Sequence, residues 1–371
     1  MLSWQDTAIS LTNEMPMSYG IERNPFIKFV AQTKLNWPYY DIDRIVHTTK
    51  KIIKSKAVAN IKEKELPVLS TLRNEKVLPY DTLIQLIHIK NLIIRNAQNT
   101  LDRDFLLLGW ASIIEKVSGV RKDGRALRFV QKSNVLPVKE NLKIQWDLMI
   151  EDLKIKQSFK VHYKPITAVE GDARKITESI QKINNALNDN YFDLIIFSPP
   201  YLNNFDYTEV YKMELWMLDK VRNAEEFRDL RLKTFRSHPS CKFAVSNYIQ
   251  TKQNMANSRL LCKTLCEQIV NSKDKEKNRR IETIKGYFDD MYLSLLDQYH
   301  VLKPQGYSIC VVANSTHGPI ESPVPIATDL IITTIAKEIG FTVNKMYITR
   351  HFSRRKVHNE WTRESIIVLQ K

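Results

Sequence analysis

The sharpest chemical signal in the 371-residue sequence is Phe197-Ser198-Pro199-Pro200-Tyr201, which follows the strongly apolar run Phe192 to Phe197. In open α/β sheets ligands bind beyond the carboxyl ends of strands. Two consecutive prolines at such a point fix φ and turn the chain rigidly out of the sheet. Neither proline has an N–H, so Ser198 and Pro199 can present carbonyl oxygens to a ligand, with the Tyr201 ring beside them. Acceptors next to an aromatic face suit a planar heterocycle held by its exocyclic amino group. An ordinary Pro-Pro turn is the plain alternative.

Two acids sit at comparable positions. Glu22 closes an extended segment in Gly20-Ile21-Glu22-Arg23-Asn24-Pro25, where a carboxylate can accept both ribose hydroxyls of a nucleoside cofactor. Asp172, in Glu170-Gly171-Asp172-Ala173-Arg174, ends the next such segment. Simpler readings are an exposed acid beside Arg23 for the first and a helix N-cap for the second.

The elements that must position these residues read as an α/β sheet, in which short β-branched runs alternate with longer helical patterns. Strands are predicted at 17–22, 166–170, 192–197, 307–313, 341–348 and 364–369, the third buried on both faces. Helices are predicted over 289–302 and 327–339, with Gly340 ending the latter. Residues 1–35 read as the start of the main domain and 161–371 as its remainder. Residues 36–160, with long Leu/Ile/Lys patterns at 80–94 and 102–117, read as a helical insertion. A second, basic insertion spans 219–281.

Composition narrows the partners. Lys plus Arg number 56 against 41 Asp plus Glu, a net charge of +15 that predicts an anionic partner, nucleic acid before membrane surface. No apolar run is long enough to cross a membrane and no signal peptide is visible, so a cytoplasmic location is expected. Four cysteines are too few for a disulfide framework in this length. Cys262 and Cys266 read as core or surface thiols, and no metal site is expected. The nine glycines include no Gly-x-Gly pair, which excludes an intact dinucleotide fingerprint and a phosphate loop.

Ser198-Pro199-Pro200-Tyr201 after an apolar strand resembles the catalytic motif of bacterial amino-group DNA methyltransferases, in which Ser in first place is typical of cytosine-N4 enzymes and Asp or Asn of adenine-N6 enzymes. Leu202 to Trp216 looks like the helix that follows this motif, and Val301 to Gly306 like the turn before the fifth strand. The resemblance implies a class I S-adenosylmethionine-dependent methyltransferase sheet, Rossmann-like, acting on a base flipped out of double-stranded DNA. It implies Ser198, Pro199, Pro200 and Tyr201 as catalytic residues. Glu22 and Asn24 would meet the ribose of S-adenosyl-L-methionine, and Asp172 and Ala173 its adenine. A cognate restriction endonuclease is an implied partner, and no membrane is involved.

Three basic clusters fit phosphate contact. They contain Arg121, Lys122, Arg125 and Arg128; Arg236 and His238; and Arg354 and Arg355. Each alone also reads as a solvated face. Lys273 to Arg280 reads as an exposed linker.

The family's first strand and its glycine loop have no counterpart before Glu22, where 6–13 reads as the helix after that loop. A fragment, a degenerate enzyme and half of a split enzyme are the explanations, and weak cofactor binding by the chain alone is expected. The alternatives to cytosine-N4 methylation are adenine-N6 methylation, a non-catalytic DNA-binding relic and, third, RNA methylation.

Overall fold

The computed structural model describes residues 17–55, 61, 66–69, 71–123, 126–159, 166–202, 205–272, 274–318, 323–351 and 362–371. In chain order the elements are β1 (Tyr19–Glu22), α1 (Pro25–Leu35), α2 (Ile42–Lys54), α3 (Tyr80–Asn96), α4 (Thr100–Val117), β2 (Val120–Asp123), β3 (Ala126–Phe129), α5 (Val138–Ser158) and β4 (Thr167–Glu170). They continue as α6 (Ile176–Gln181), β5 (Phe192–Phe197), α7 (Tyr207–Val210), α8 (Lys212–Met217), α9 (Ala224–Leu232), α10 (Tyr248–Thr251), α11 (Ala256–Asn271) and α12 (Lys277–Val301). The chain closes with β6 (Leu302–Ala313), β7 (Ser315–His317), β8 (Val324–Ile326), α13 (Thr328–Ile339), β9 (Thr342–His351) and β10 (Arg363–Gln370). The expected mixture of helices and strands is present.

The chain divides into two compact units, Met1–Glu170 with Tyr207–Leu230, and Gly171–Asp206 with Arg231–Lys371. In the first, β1 and β4 pair in parallel and β2 and β3 form an antiparallel hairpin. Local sequence starts the helices: Asn24 caps α1 by accepting from the Phe26 N–H, Asp41 caps α2, and Asn99 caps α4. The core gathers Leu83, Leu86 and Ile93 of α3, Leu106, Trp110 and Ile114 of α4, and Leu142 and Trp146 of α5. Both indoles bury fully because each N–H finds a carbonyl, Trp110 at Leu86 (3.0 Å) and Trp146 at Leu106 (3.1 Å).

The second unit holds a four-stranded sheet in the order β5-β6-β10-β9, parallel between β5 and β6 and antiparallel elsewhere. Tyr287, Phe288, Met291 and Leu295 of α12 and Ile332 and Ile335 of α13 pack with Cys310, Val312, Ile367 and Leu369. Burial of each such side chain contributes about 1.5–3 kcal/mol. The helix α13 stops at Gly340, whose φ of 128° lies where a Cβ would be strained.

One expectation about the sheet fails. β5 was expected to be buried on both faces, yet Leu194 is 43% and Ile196 52% exposed. Its other face, through Ile195 and Phe197, packs on the core, and β6 is its one strand partner among the described residues. An apolar run therefore marked the strand correctly but not the number of faces covered.

Candidate functional site

The Ser-Pro-Pro-Tyr segment leaves β5 at its carboxyl end, with Ser198 exposed and Pro199 buried. The Ser198 hydroxyl donates to the Val311 carbonyl of β6 at 3.0 Å. Its one proton is thereby used, and the oxygen keeps lone pairs for accepting from a ligand. Tyr201 donates its hydroxyl to Glu364 Oε1 of β10 at 2.7 Å, and Arg350 of β9 meets the same carboxylate at 2.9 Å. The Tyr201 hydrogen bond, helped by Arg350, holds the Glu364 carboxyl below its ordinary range although burial opposes this. Half-buried, the Tyr201 ring packs against the second core.

The residues expected at a cofactor divide between the units. Glu22 and Asn24 belong to the first, where Glu22 Oε1 accepts the Asn24 backbone N–H at 2.8 Å. Burial pushes the Glu22 carboxyl up, while the backbone N–H groups of Asn24 and Arg23 pull it down. Asn24 is buried, its Oδ1 engaged in the α1 cap and its Nδ2 left without a hydrogen-bond partner.

Asp172 and Ala173 belong to the second unit. Asp172 was read as a carboxylate open to an adenine amino group or as a helix cap. Instead Arg174 spans it, Nε to Oδ1 at 2.9 Å and Nη2 to Oδ2 at 2.7 Å, and the cap position of α6 is Lys175. Arg174 also donates to Asp290 (3.0 Å) and to the Lys233 carbonyl (2.8 Å).

Two residues expected to face phosphate lie in the interior. Arg236 is buried and forks onto Asp290, through Nη2 to Oδ1 at 2.8 Å and Nε to Oδ2 at 3.1 Å. Its aliphatic stem fits only because Gly286 of α12 has no side chain: a Cβ there would stand 2.7 Å from Arg236 Cδ. His238 is buried too, its Nδ1 2.6 Å from Ser240 Oγ and 3.7 Å from Asp206. A guanidinium is tolerated inside because a carboxylate and hydrogen bonds replace its water. Of the stretch read as an exposed linker, Lys275, Glu276, Asn278 and Arg279 are exposed, but Lys277 begins α12 and Arg280 pairs with Asp274, whose side chain is largely buried.

On the β2–β3 hairpin Arg121 and Arg128 are exposed and directly opposed in register, an unfavourable like-charge arrangement that Asp123 relieves in part, its Oδ2 lying 3.5 Å from Arg128 Nε. Lys122 points elsewhere, pairing with buried Glu214 of α8, whose carboxyl burial pushes up although the lysine opposes it. Arg125, Arg354, Arg355 and the 6–13 helix lie outside the described residues.

Sequence reasoning missed Glu364 and the acids Asp289 and Asp290. The latter had a signal: two adjacent carboxylates interrupt the apolar series Ile284, Tyr287, Phe288, Met291, so they had to be paired inside. Glu364 had none, because its contact with Tyr201 spans 163 residues. Among the described residues no helix is long and apolar enough to cross a membrane, and no His/Cys/Asp/Glu group could hold a metal ion. Burial pushes the Cys262 thiol up to about 12.

No family model matches the chain. Over 269 residues it is 28% identical to the type II methyltransferase M.AvaI of a Nostoc species, and equally to that of Anabaena variabilis, covering 68% of this chain and 54% of theirs. Over 268 residues it is 26% identical to the type II methyltransferase M.BsoBI of Geobacillus stearothermophilus, covering 64% of this chain and 52% of that protein. The chain spans about half the length of the curated relatives it matches. In its Ser198–Tyr201 motif and over about two thirds of its length, this chain resembles bacterial DNA methyltransferases.

Proposed function

We propose that the chain carries the target-base machinery of a site-specific DNA methyltransferase that uses S-adenosyl-L-methionine and modifies cytosine at N4. The observation that carries this reading is the Ser198 hydroxyl, whose proton is directed at Val311 so that its oxygen is left to accept. A cytosine amino group would donate to that oxygen and to the Pro199 carbonyl, drawing the nitrogen lone pair out of conjugation. Tyr201 would stack on the base, which must first leave the duplex to free its amino group. With nitrogen and methyl aligned, little further acid–base chemistry is required of the protein.

S-adenosylmethionine supplies an activated methyl on a sulfonium leaving group. At the ribose end the residues fit it. Glu22 offers acceptor oxygens and buried Asn24 an unpartnered Nδ2 at the carboxyl end of β1, which suits a pair of hydroxyls. Arg121 and Arg128 would meet phosphate, and the basic residues Arg125, Arg354 and Arg355 would add to that contact.

The test is nucleoside analysis of duplex DNA incubated with the chain and labelled S-adenosylmethionine. N4-methylcytosine is expected, and N6-methyladenine would move the assignment to the adenine class. The variant Ser198→Ala should lower transfer about a hundredfold through misplacement of the amine while sparing DNA affinity. Equal loss of both would mark the motif as structural. A second reading, a DNA-binding relic without catalysis, is favoured by the Asp172–Arg174 pair. Salt-sensitive DNA binding with no cofactor binding in calorimetry would select it.

A further inference from the structure

We infer that His317 is a positioning residue for the target-base loop, holding the carbonyl of Leu202 through a tautomer that Arg280 imposes. The inference rests on the function proposed above and adds a residue to it that the motif does not contain. His317 ends β7 and is buried, with Nε2 2.8 Å from the Leu202 carbonyl oxygen and Nδ1 3.1 Å from Arg280 Nη1. A carbonyl only accepts, so Nε2 carries the proton. A guanidinium only donates, so Nδ1 carries none. Two separate neighbours thus specify the same neutral imidazole, and Arg280 is itself fixed by its ion pair with Asp274.

The consequence for the loop follows from its prolines. Ser198 is anchored to β6 and Tyr201 to β10 by their hydroxyls, and His317 anchors the next residue through its main chain. Pro199 and Pro200 have fixed φ angles, so tethering the segment at both ends leaves few soft torsions between them. Leu202 is fully buried in the second core, which places its carbonyl as a firm end point. Without the imidazole N–H, the Tyr201 ring loses the tether on its C-terminal side. The presentation of a stacked base would loosen with it.

The neutral tautomer can be read on the whole chain by nitrogen-15 NMR of labelled histidines near pH 7. A protonated Nε2 with bare Nδ1 is expected at His317, and a protonated Nδ1 would overturn the inference. Two variants separate the roles of the ring nitrogens. Glutamine places a donor near the Nε2 position, whereas asparagine keeps an acceptor near Nδ1 but is too short to reach Leu202. Amide exchange at Tyr201 and Leu202 should therefore rise roughly five- to tenfold in His317→Asn, one hydrogen bond's worth, and stay within about twofold of the unmodified chain in His317→Gln. Equal protection in all three proteins would overturn the inference, and failure of the asparagine variant to fold leaves the tautomer measurement to decide it. These readouts need no turnover. Absence of methylated nucleoside with the unmodified chain would instead count against the proposed function.

Discussion

Two clusters of the second unit, each flagged by sequence for chemistry, end in opposite states. Around Asp290 every strong group is turned inward: its oxygens take Arg174 Nη1, Arg236 Nη2 and Nε, and the Arg236 backbone N–H at 2.9 Å. At Ser198 to Tyr201 the hydroxyl protons are spent on the sheet and the exposed serine oxygen is left to accept. Positive charge near a motif is thus a poor guide to a ligand surface when acids lie within reach of it. A closed network rigidifies, and an open one can bind.

The largest expected effect breaks the closed cluster. Asp290→Ala leaves Arg174 and Arg236 largely buried without their shared partner, and should cost about 3–5 kcal/mol in urea unfolding. Ser198→Ala removes one hydrogen bond of an exposed residue and should cost under about 1 kcal/mol. Similar losses in the two variants would erase the distinction.

A smaller effect sharpens the open side. Tyr201→Phe removes the donor that contributes most to lowering the Glu364 carboxyl, so carbon-13 NMR titration should find that carboxyl raised towards its ordinary range. A depressed carboxyl stabilises the fold above its unfolded pKa, and that contribution is lost as pH falls through the folded value. The variant should lose about 1 kcal/mol near neutrality and less in acid. An unmoved Glu364 titration would show that Arg350 and Thr349 set it without the tyrosine.

The smallest effect concerns Glu22. Its folded-state pKa is raised, chiefly by burial, so the folded form holds its proton more tightly than the unfolded chain. Stability therefore falls as pH rises from the unfolded pKa through the folded one. Glu22→Gln should gain about one or two degrees in thermal midpoint at neutral pH and nothing below about pH 4. A loss at neutral pH would mean that the charge is stabilised by partners besides Asn24 and Arg23.

The sequence by itself determined the mixed α/β character, the position of β5 and the rigid Ser-Pro-Pro-Tyr exit. It also determined where α13 stops. All of these depend on neighbours a few residues apart: periodicity, proline φ values and a glycine with φ of 128°. Strand ends were less legible. β6 begins at Leu302 rather than near 307, directly from the last turn of α12, because backbone pairing with distant strands sets its length. Only the tertiary structure decided that Arg236 and His238 lie inside, that Arg174 reaches Asp290, that one face of β5 is open, and that Glu364 and His317 hold the motif loop. Each of those outcomes depends on groups tens to more than a hundred residues apart. Local pattern carries no information about which distant charge or carbonyl will arrive, and burial then makes that pairing obligatory.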